Sequence, residues 1–339
     1  MADGVITSTM APGSGRAAPL KFGWRVPMWD PDRAPAPAWL PDVRANLDAL
    51  RGSYDSIWLS DHLVPGAGWM PPEPDTLECW TAVAHFATAY PEYEVGQIVL
   101  GNSYRHPSLL AKMASTLQLL TGGRLILGIG AGWMESEYRM YGYPFSSAPE
   151  RLEQLDEAVQ IIRRMWTTSP ASFAGKHFSI DEAFANPLPS PAPPLLIGSH
   201  GEKIGLGIVA RHADWWDYSG AAPEEFARKA GVLARHCEAV GRDPDSILYT
   251  WQCQTVSIAD SEAEARAVAE TSALYKNGKP ESSLVGTPEQ IVERLALYVD
   301  AGVRHAIVRF ADFPSTEGAQ RFAREVAPKV RALAGGLSA

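Results

Sequence analysis

One segment constrains the fold of this chain more than any other, because the apolar run at residues 125–129 leads into the sequence GIGAGW at residues 128–133. The run has no polar face, which predicts a strand buried on both sides, as in parallel sheets that helices cover. A second apolar run, at residues 56–60, ends in Asp61 and His62. In a barrel of alternating strands and helices, the carboxyl ends of the strands form the active site. These two strand ends are therefore expected to share one pocket.

Eight apolar segments of strand length alternate with helical segments along the chain. The predicted strands are residues 20–26, 56–60, 95–100, 124–130, 194–198, 213–218, 247–257 and 303–310. The clearest helix covers residues 150–167, where apolar side chains recur at three- and four-residue steps. Because no linker or internal repeat interrupts the alternation, we predict an α/β fold with a single (β/α)8 TIM barrel over residues 20–335.

Two segments fall outside this pattern. Residues 1–19 are rich in Ala, Pro, Gly and Ser, which is typical of a disordered N-terminal tail. Residues 271–286 carry Gly278 and Pro280 and fit neither helix nor strand, which predicts an insertion before the last strand. Such an insertion is either a lid over the pocket or a passive surface loop.

The composition narrows the class of ligand. With 39 acidic and 30 basic residues, the formal net charge is −9, which argues against nucleic acid or an anionic membrane as partner. No segment is long and apolar enough to span a bilayer. Cys79, Cys237 and Cys253 form no disulfide framework and no metal-ligand spacing. We therefore expect a cytoplasmic protein with reduced thiols and no bound metal, whose ligand is a small organic molecule. The sequence is also compatible with a homodimer.

A phosphate cradle is predicted where the fifth strand meets its helix, at Gly198, Ser199, His200 and Gly201. Small residues at a helix N-terminus expose backbone N–H groups, which bind anions. Phosphate sites of barrel enzymes often occupy such a late loop. The alternative is an ordinary strand-to-helix turn that contains Gly and Ser without binding an anion.

The glycines of the fourth strand do not make a dinucleotide-binding fingerprint, because Trp133 stands where a third glycine is needed. In a barrel, Gly130 and Gly132 let a flat ligand approach the backbone, unless they serve only a tight turn. His62 is a candidate proton shuttle, against a purely structural role. Asn102, after the third strand, is a candidate partner for a heteroaromatic ring. Among 11 tryptophans, Trp133 is the one expected to line the pocket.

Several motifs together resemble the bacterial luciferase-like superfamily of flavin- and deazaflavin-dependent barrel oxidoreductases. They are the Ser-Asp-His ending of the second strand, Tyr104-Arg105-His106-Pro107, the block from Leu120 to Trp133, Glu137-Tyr138, Tyr141-Gly142, the helix from Glu150 to Trp166, the stretch from Ile197 to Lys203, and Leu284-Val285-Gly286-Thr287-Pro288-Glu289. The resemblance extends over roughly residues 20–333.

The resemblance implies a barrel that binds coenzyme F420 or FMN across the strand ends. Carried over to this chain, it gives Asp61 and Asn102 contacts to the ring and makes His62 the group that transfers a proton. It places Gly130 and Gly132 behind the cofactor. It assigns the phosphate to Ser199, His200 and Gly201. Two departures stand out: Ser199 and His200 replace glycines of the family's phosphate loop, and Trp133 replaces the acidic residue of the members that oxidise sugar phosphates.

The resemblance implies an oxidoreductase that most closely matches F420-dependent members, which transfer a hydride to or from a small organic substrate. The alternative is a monooxygenase that uses reduced FMN and molecular oxygen. A barrel that binds the cofactor without catalysis is an alternative of another class. A barrel hydrolase would need paired carboxylates, for which only Asp61 and Asp217 are suitably placed.

Overall fold

The structure is a computed structural model that describes residues 15, 18–30, 34–65 and 68–336. Of the N-terminal tail predicted at residues 1–19, all but Gly15, Ala18 and Pro19 lies outside the described residues.

Eight parallel strands close into a ring, which confirms the predicted (β/α)8 barrel. Around the ring the order is β3, β2, β1, β8, β7, β6, β5 and β4, and β4 pairs back onto β3. The strands are β1 Lys21–Arg25, β2 Ser56–Leu59, β3 Glu94–Gln97, β4 Leu125–Gly130, β5 Leu195–Gly198, β6 Trp215–Ser219, β7 Leu248–Gln252 and β8 Val303–Val308.

Helices cover the outside of this ring. The long connecting helices are α1 Ala36–Ala49, α2 Cys79–Ala89, α3 Pro107–Leu120, α4 Ala148–Thr167, α5 Gly205–His212, α6 Pro223–Ala239, α7 Pro288–Asp300 and α8 Ala327–Gly336. Shorter helices occupy Glu135–Met140, Glu262–Ala269, Ala273–Lys276 and Glu317–Arg321, with a π-helical turn at Phe322–Val326 before α8.

Sequence signals account for the ends of these helices. In α4, the side chain of Ser147 accepts a hydrogen bond from the Glu150 N–H, and the helix ends three residues before Pro170. Its apolar stripe, which includes Leu155 and Ile162, is buried against the barrel. In α7, Thr287 and Gln290 form a complete capping box.

An apolar layer fills the inside of the barrel below the strand ends. Its buried members come from six of the strands, all but β1 and β3, and from the segment after β3: Trp58, Ile98, Ile126, Leu196, Trp215, Leu248 and Ile307. Because side chains alternate along a strand, the next inward positions toward the carboxyl ends form the floor of the pocket. Those positions include Arg25, Gly130, Gly198, Asp217, Gln252 and Arg309.

Two of the predicted strands are interrupted. The third ends at Gln97, where a cis peptide joins Ile98 and Val99, and the short strand Leu100–Gly101 then pairs with β4. The predicted strand 247–257 was also too long, because the chain leaves the ring after Gln252. Its second part, Val256–Ile258, pairs with Leu284–Gly286 in a separate two-stranded sheet.

The prediction that residues 271–286 are irregular was wrong in part. The segment holds the helix Ala273–Lys276, the 3-10 turn Pro280–Ser282 and the strand Leu284–Gly286. The strand depends on pairing with a distant part of the chain, which local apolar periodicity cannot reveal. After α4, Ala171–Ala174 and Ser179–Ala183 form an antiparallel pair outside the barrel. Among the described helices, none has the length and apolar character needed to cross a membrane.

Candidate active site

A cavity of about 880 Å³ lies at the carboxyl ends of the barrel strands. Nearly all of the residues singled out in the sequence line it: Asp61, His62, Gly130, Gly132, Trp133, Gly198, Ser199, His200 and Gly201. Asn102 is the exception, because its side chain is buried in the turn Asn102–Tyr104 and is not part of the cavity wall. Strand ends far apart in the sequence thus meet in one pocket, as the barrel geometry requires.

His62 is paired with a buried carboxylate, Glu137. The distance from His62 Nδ1 to Glu137 Oε2 is 3.1 Å, and the Glu137 side chain is 1% exposed. Glu137 also accepts hydrogen bonds from the Tyr104 hydroxyl at 2.6 Å and from the backbone N–H groups of Leu63 and Val64. Four donors therefore converge on this one carboxylate.

These donors hold Glu137 in its ionised form. Burial by itself would raise the pKa of Glu137, but the hydrogen bond and charge of His62 and the hydrogen bonds from Tyr104 and Leu63 lower it below its ordinary value. Burial and the bond to Glu137 raise the pKa of Tyr104, so its hydroxyl keeps its proton and donates it.

An ionised carboxylate can only accept hydrogen bonds, which settles the tautomer of His62. Nδ1 must carry the hydrogen that points at Glu137, so in the neutral ring Nε2 has the free lone pair. In the described part of the chain, Nε2 takes part in no hydrogen bond. His62 can therefore accept or return a proton at Nε2 on the cavity side.

Aromatic rings flank His62. Its ring centroid lies 5.6 Å from that of Trp133 and 6.5 Å from that of Trp29, both edge to face. Trp133 is 61% exposed although it lines the cavity, and Trp69 adds a third indole to the wall. Apolar walls of this kind suit a flat organic ligand and reduce the access of water to the histidine.

Asp61 has a different set of contacts from the one expected. Its two carboxylate oxygens pair with the Arg105 guanidinium at 2.8 and 3.0 Å, and Oδ2 also accepts from the Gly101 N–H at 2.9 Å. Arg105 reaches on to Glu78, which caps the N-terminus of α2. In this structure Asp61 joins the end of β2 to the segment after β3, with its oxygens engaged by protein donors.

The glycines of β4 and β5 make room for the irregular segment after β3. A Cβ atom at Gly128 would overlap the carbonyl oxygen of Gln97. A Cβ at Gly130 or Gly198 would lie 2.9 or 3.0 Å from a methyl group of Val99. The protein's own packing thus requires these glycines, and Val99 occupies the cavity wall between them.

The loop before α5 presents backbone donors to the cavity. No side chain caps α5, and the N–H groups of residues 200–204 donate to none of the described residues. A Cβ at Gly201 would meet nothing nearer than a backbone nitrogen at 4.0 Å, so the space beside it is open. Burial lowers the pKa of His200, and the charges of Lys229 and Lys279 lower it further, so two cations act on this loop. These features fit a phosphate group.

On the other side of the cavity lies a polar cluster of which sequence reasoning had singled out only Asp217. Arg25 Nη1 donates to Gln252 Oε1 at 3.2 Å, and Gln252 Nε2 donates to Asp217 at 2.6 Å. Burial raises the pKa of Asp217 to about 7, against the smaller lowering by Gln252 and Arg25. Arg309 completes the cluster. The available signal was positional: Arg25, Gln252 and Arg309 are each at or just beyond the end of a barrel strand, in phase with the inward positions.

Glu137 and Lys279 were also missed as site residues. Glu137 lies in the short helix Glu135–Met140, and nothing in its local sequence shows that it turns back toward His62. Lys279 belongs to the segment predicted as an insertion, which supplies Leu274, Asn277, Gly278 and Lys279 to the cavity wall.

Comparison with known proteins agrees with this geometry. The family model for luciferase-like monooxygenases matches residues 43–282. An F420-dependent glucose-6-phosphate dehydrogenase of Microbacterium testaceum (strain StLB037) is 25% identical over 92% of this chain and 98% of its own. An FMNH2-dependent dimethylsulfone monooxygenase of Pseudomonas putida is 27% identical over 67% of this chain and 71% of its own.

The fold is also similar to that of solved structures. A structure described as an F420-dependent secondary alcohol dehydrogenase in complex with an F420-acetone adduct superposes with a TM-score of 0.78. The superposition covers 92% of this chain and 99% of that one at 18% identity, so the likeness is one of fold.

Proposed function

Since the chain belongs to the luciferase-like monooxygenase family, we propose that it is an oxidoreductase that uses coenzyme F420 to transfer a hydride to or from a small organic substrate. The observation that carries this proposal is the pairing of His62 with Glu137 beside the cavity. Hydride transfer between an alcohol and a carbonyl group also moves one proton, and His62 Nε2 is available for it.

The cavity fits a flavin-type cofactor. Its uncapped helix N-terminus and His200 would hold a phosphate group, and Val99, Gly130 and Gly198 form an apolar wall for a flat ring. Bound F420 supplies a hydride donor or acceptor, and as a deazaflavin it lacks the nitrogen with which flavins support oxygen activation.

The chain's own residues then have separate tasks. Glu137 keeps His62 in one tautomer and one orientation, and Tyr104 in turn fixes Glu137. Trp29 and Trp133 restrict the movement of the imidazole and exclude water from it. In the direction of substrate oxidation, His62 Nε2 would take the hydroxyl proton of an alcohol, and in the reverse direction it would return that proton.

Use of reduced FMN by a monooxygenase is the second candidate, and it is supported by the similarity to the dimethylsulfone monooxygenase. The first candidate is supported by the similarity to the F420-dependent glucose-6-phosphate dehydrogenase, which extends over 92% of the chain.

Separate titrations of the purified protein with F420 and FMN test the proposal. We expect F420 to bind with a dissociation constant in the low micromolar range or below, on the order of −8 kcal/mol, and FMN to bind more weakly. Tighter binding of FMN would favour the second candidate, a monooxygenase that uses reduced FMN. Failure of both cofactors to bind would overturn the oxidoreductase proposal.

The phosphate cradle has its own test in Gly201→Val. The protein has open space at this position, so the fold should tolerate the valine, whereas an approaching phosphate should not. We expect F420 binding to weaken roughly tenfold, which is the loss of about 1.4 kcal/mol of hydrogen bonding. Gly201→Ala is the milder companion variant, and unchanged affinity in both would place the phosphate elsewhere.

A further inference from the structure

Two arginines lie side by side at the mouth of the barrel. In the pairing of β1 with β8, Trp24 is opposite Val308, so Arg25 and Arg309 are the next pair along the two strands. Parallel neighbours in register are about 4.8 Å apart between strands. Both side chains line the cavity and face its interior. Equal charges placed directly opposite each other destabilise a sheet unless something compensates them.

The protein supplies little compensation. Arg25 donates to the side-chain oxygen of Gln252, and Arg309 donates to the backbone and side-chain oxygens of Gln254, the latter at 2.9 Å. These acceptors are neutral amides. Within the described ranges, neither guanidinium makes an ion pair with a carboxylate at 4.0 Å or less.

The electrostatic cost of this arrangement is visible at both groups. Burial, followed by the charge of Arg25, lowers the pKa of Arg309 to about 9. Burial also lowers the pKa of Arg25, and only the nearby Asp217 acts to raise it. A guanidinium binds carboxylate and phosphate oxygens through paired N–H groups. An anionic ligand would therefore recover free energy that the unliganded protein gives up.

The position of the pair separates it from the phosphate cradle. In the ring, β7 and β6 lie between β8 and β5, which carries the cradle, and β8 is four strands from the glycine-lined β4. A ring that rests against Gly130 and Gly198, with its phosphate at Gly201, would leave the arginine side of the cavity for a second ligand.

We propose that Arg25 and Arg309 form a subsite for an anionic group of the substrate, a carboxylate or a phosphate, so that the enzyme acts on organic acids or organic phosphates. This inference rests on the proposed function, because it assigns the remaining part of the cavity to the substrate of that reaction.

The test measures binding of small probes to the purified protein by calorimetry, with and without saturating F420. Benzoate and phenyl phosphate are the anionic probes, and benzamide is the uncharged control. We expect at least one anion to bind about tenfold or more tightly than benzamide. The tighter of the two anions identifies carboxylate or phosphate as the preferred group.

Variants locate the binding groups. Arg309→Gln and Arg25→Gln should each weaken anion binding roughly 10- to 100-fold and leave benzamide unaffected. The affinity of Arg309→Lys for the anion should lie between those of wild type and Arg309→Gln, because lysine keeps the charge but lacks the planar guanidinium. Arg235→Gln is the matched control, since it removes an equal charge from the exposed face of α6.

F420 affinity and unfolding by urea are measured on the same variants. If the arginine pair binds the substrate, the variants should bind F420 with an affinity within about threefold of wild type. Arg309→Gln should also unfold at a urea concentration no lower than that of wild type. Equal binding of anions and benzamide would overturn the proposal. So would a parallel loss of F420 affinity, which would assign the arginines to the cofactor. If the wild type binds an anion through Arg309 but binds neither F420 nor FMN, the subsite stands while the proposed function fails.

Discussion

At the scale of single residues, the site depends on the contrast between two carboxylates. Glu137 accepts four hydrogen bonds and orients the His62 ring, which we propose as the proton-transfer group. Asp61, only one residue before His62, is neutralised by Arg105 and stabilises the end of its strand. Adjacent positions in the sequence thus have unrelated tasks, because their side chains point to different neighbours.

His62→Ala should retain the fold and cofactor binding but lose most turnover. A general acid or base contributes on the order of 100- to 10,000-fold to the rate, so kcat should fall within that range. Adding imidazole to the variant should restore part of the activity. A loss of less than about tenfold would reduce His62 to a residue that positions the substrate.

Glu137→Gln should destabilise the protein near neutral pH. The glutamine amide would present a donor to groups that are themselves donors, and one unsatisfied buried partner costs about 1–3 kcal/mol. Because the pKa of Glu137 is lowered on folding, its contribution is complete above the ordinary value of 4.5 and is lost as the pH falls through the folded-state pKa.

Urea unfolding of wild type and Glu137→Gln at pH 7 and pH 4 provides the measurement. We expect a large difference at pH 7 that narrows at pH 4. Tyr104→Phe, which removes one of the four donors, should have the smaller effect. A difference that is the same at both pH values would contradict ionisation of Glu137 as the source of the stability.

At the scale of elements, one interruption in the sheet determines several neighbouring residues. The break after β3 pushes Val99 and the Gln97 carbonyl toward β4 and β5, which must carry glycine at 128, 130 and 198. The same break places Val99 on the cavity wall. The conformation of the segment after β3 therefore favours glycine at these positions of β4 and β5.

The segment 271–286 is the element for which we expect ligand-dependent order. It contributes Leu274, Asn277, Gly278 and Lys279 to the cavity wall, and the charge of Lys279 acts on His200. Cofactor phosphate would compensate that charge, so the amides of the segment should exchange hydrogen more slowly when F420 is bound. Hydrogen exchange with and without F420 is the measurement.

A pair of variants in this segment sharpens the test. Lys279→Ala should weaken F420 binding and reduce the added protection, whereas Lys276→Ala, whose side chain is exposed and off the cavity wall, should do neither. Equal protection with and without the cofactor would make the segment a passive part of the surface.

At the scale of the whole molecule, the inside of the barrel changes from apolar to charged along its axis. Below the cavity lie Trp58, Trp215 and Ile307, and above them lie Asp217 and Arg309. Large side chains stabilise the closed ring, whereas the buried charges of the upper layer lower its stability. Global stability should therefore depend on the ionisation of that layer.

Asp217→Asn should make the protein more stable above pH 7. The unfolded chain loses the proton of this carboxyl near pH 3.8, whereas the folded protein retains it to about pH 7. Stability therefore falls as the pH rises between these values, and the cost persists above them. At about 1.4 kcal/mol per pKa unit, the cost is at most about 4 kcal/mol.

Asparagine cannot ionise, yet it still accepts the hydrogen bond from Gln252. The expected outcome is a higher free energy of unfolding for the variant at pH 8 and little difference at pH 4. Asp156→Asn is a useful contrast, because the pKa of Asp156 is lowered to about 2. Its replacement should therefore lower the free energy of unfolding at pH 8, the opposite of the effect of Asp217→Asn. Equal stability of Asp217→Asn and wild type at pH 8 would contradict the burial of an ionised Asp217.

The sequence by itself determined the eight-strand alternation, the strand ends that meet in the pocket and the position of the loop that we propose as the phosphate cradle. Those features follow from apolar runs, helix signals and short motifs, which act over a few residues. The tertiary structure decided the partner of His62, the engagement of Asp61 by Arg105, the burial of Asn102 and the arginine pair at β1 and β8. Each of these joins residues that are distant in the chain, so only closure of the ring defines the contact, the burial and the charge that each group meets.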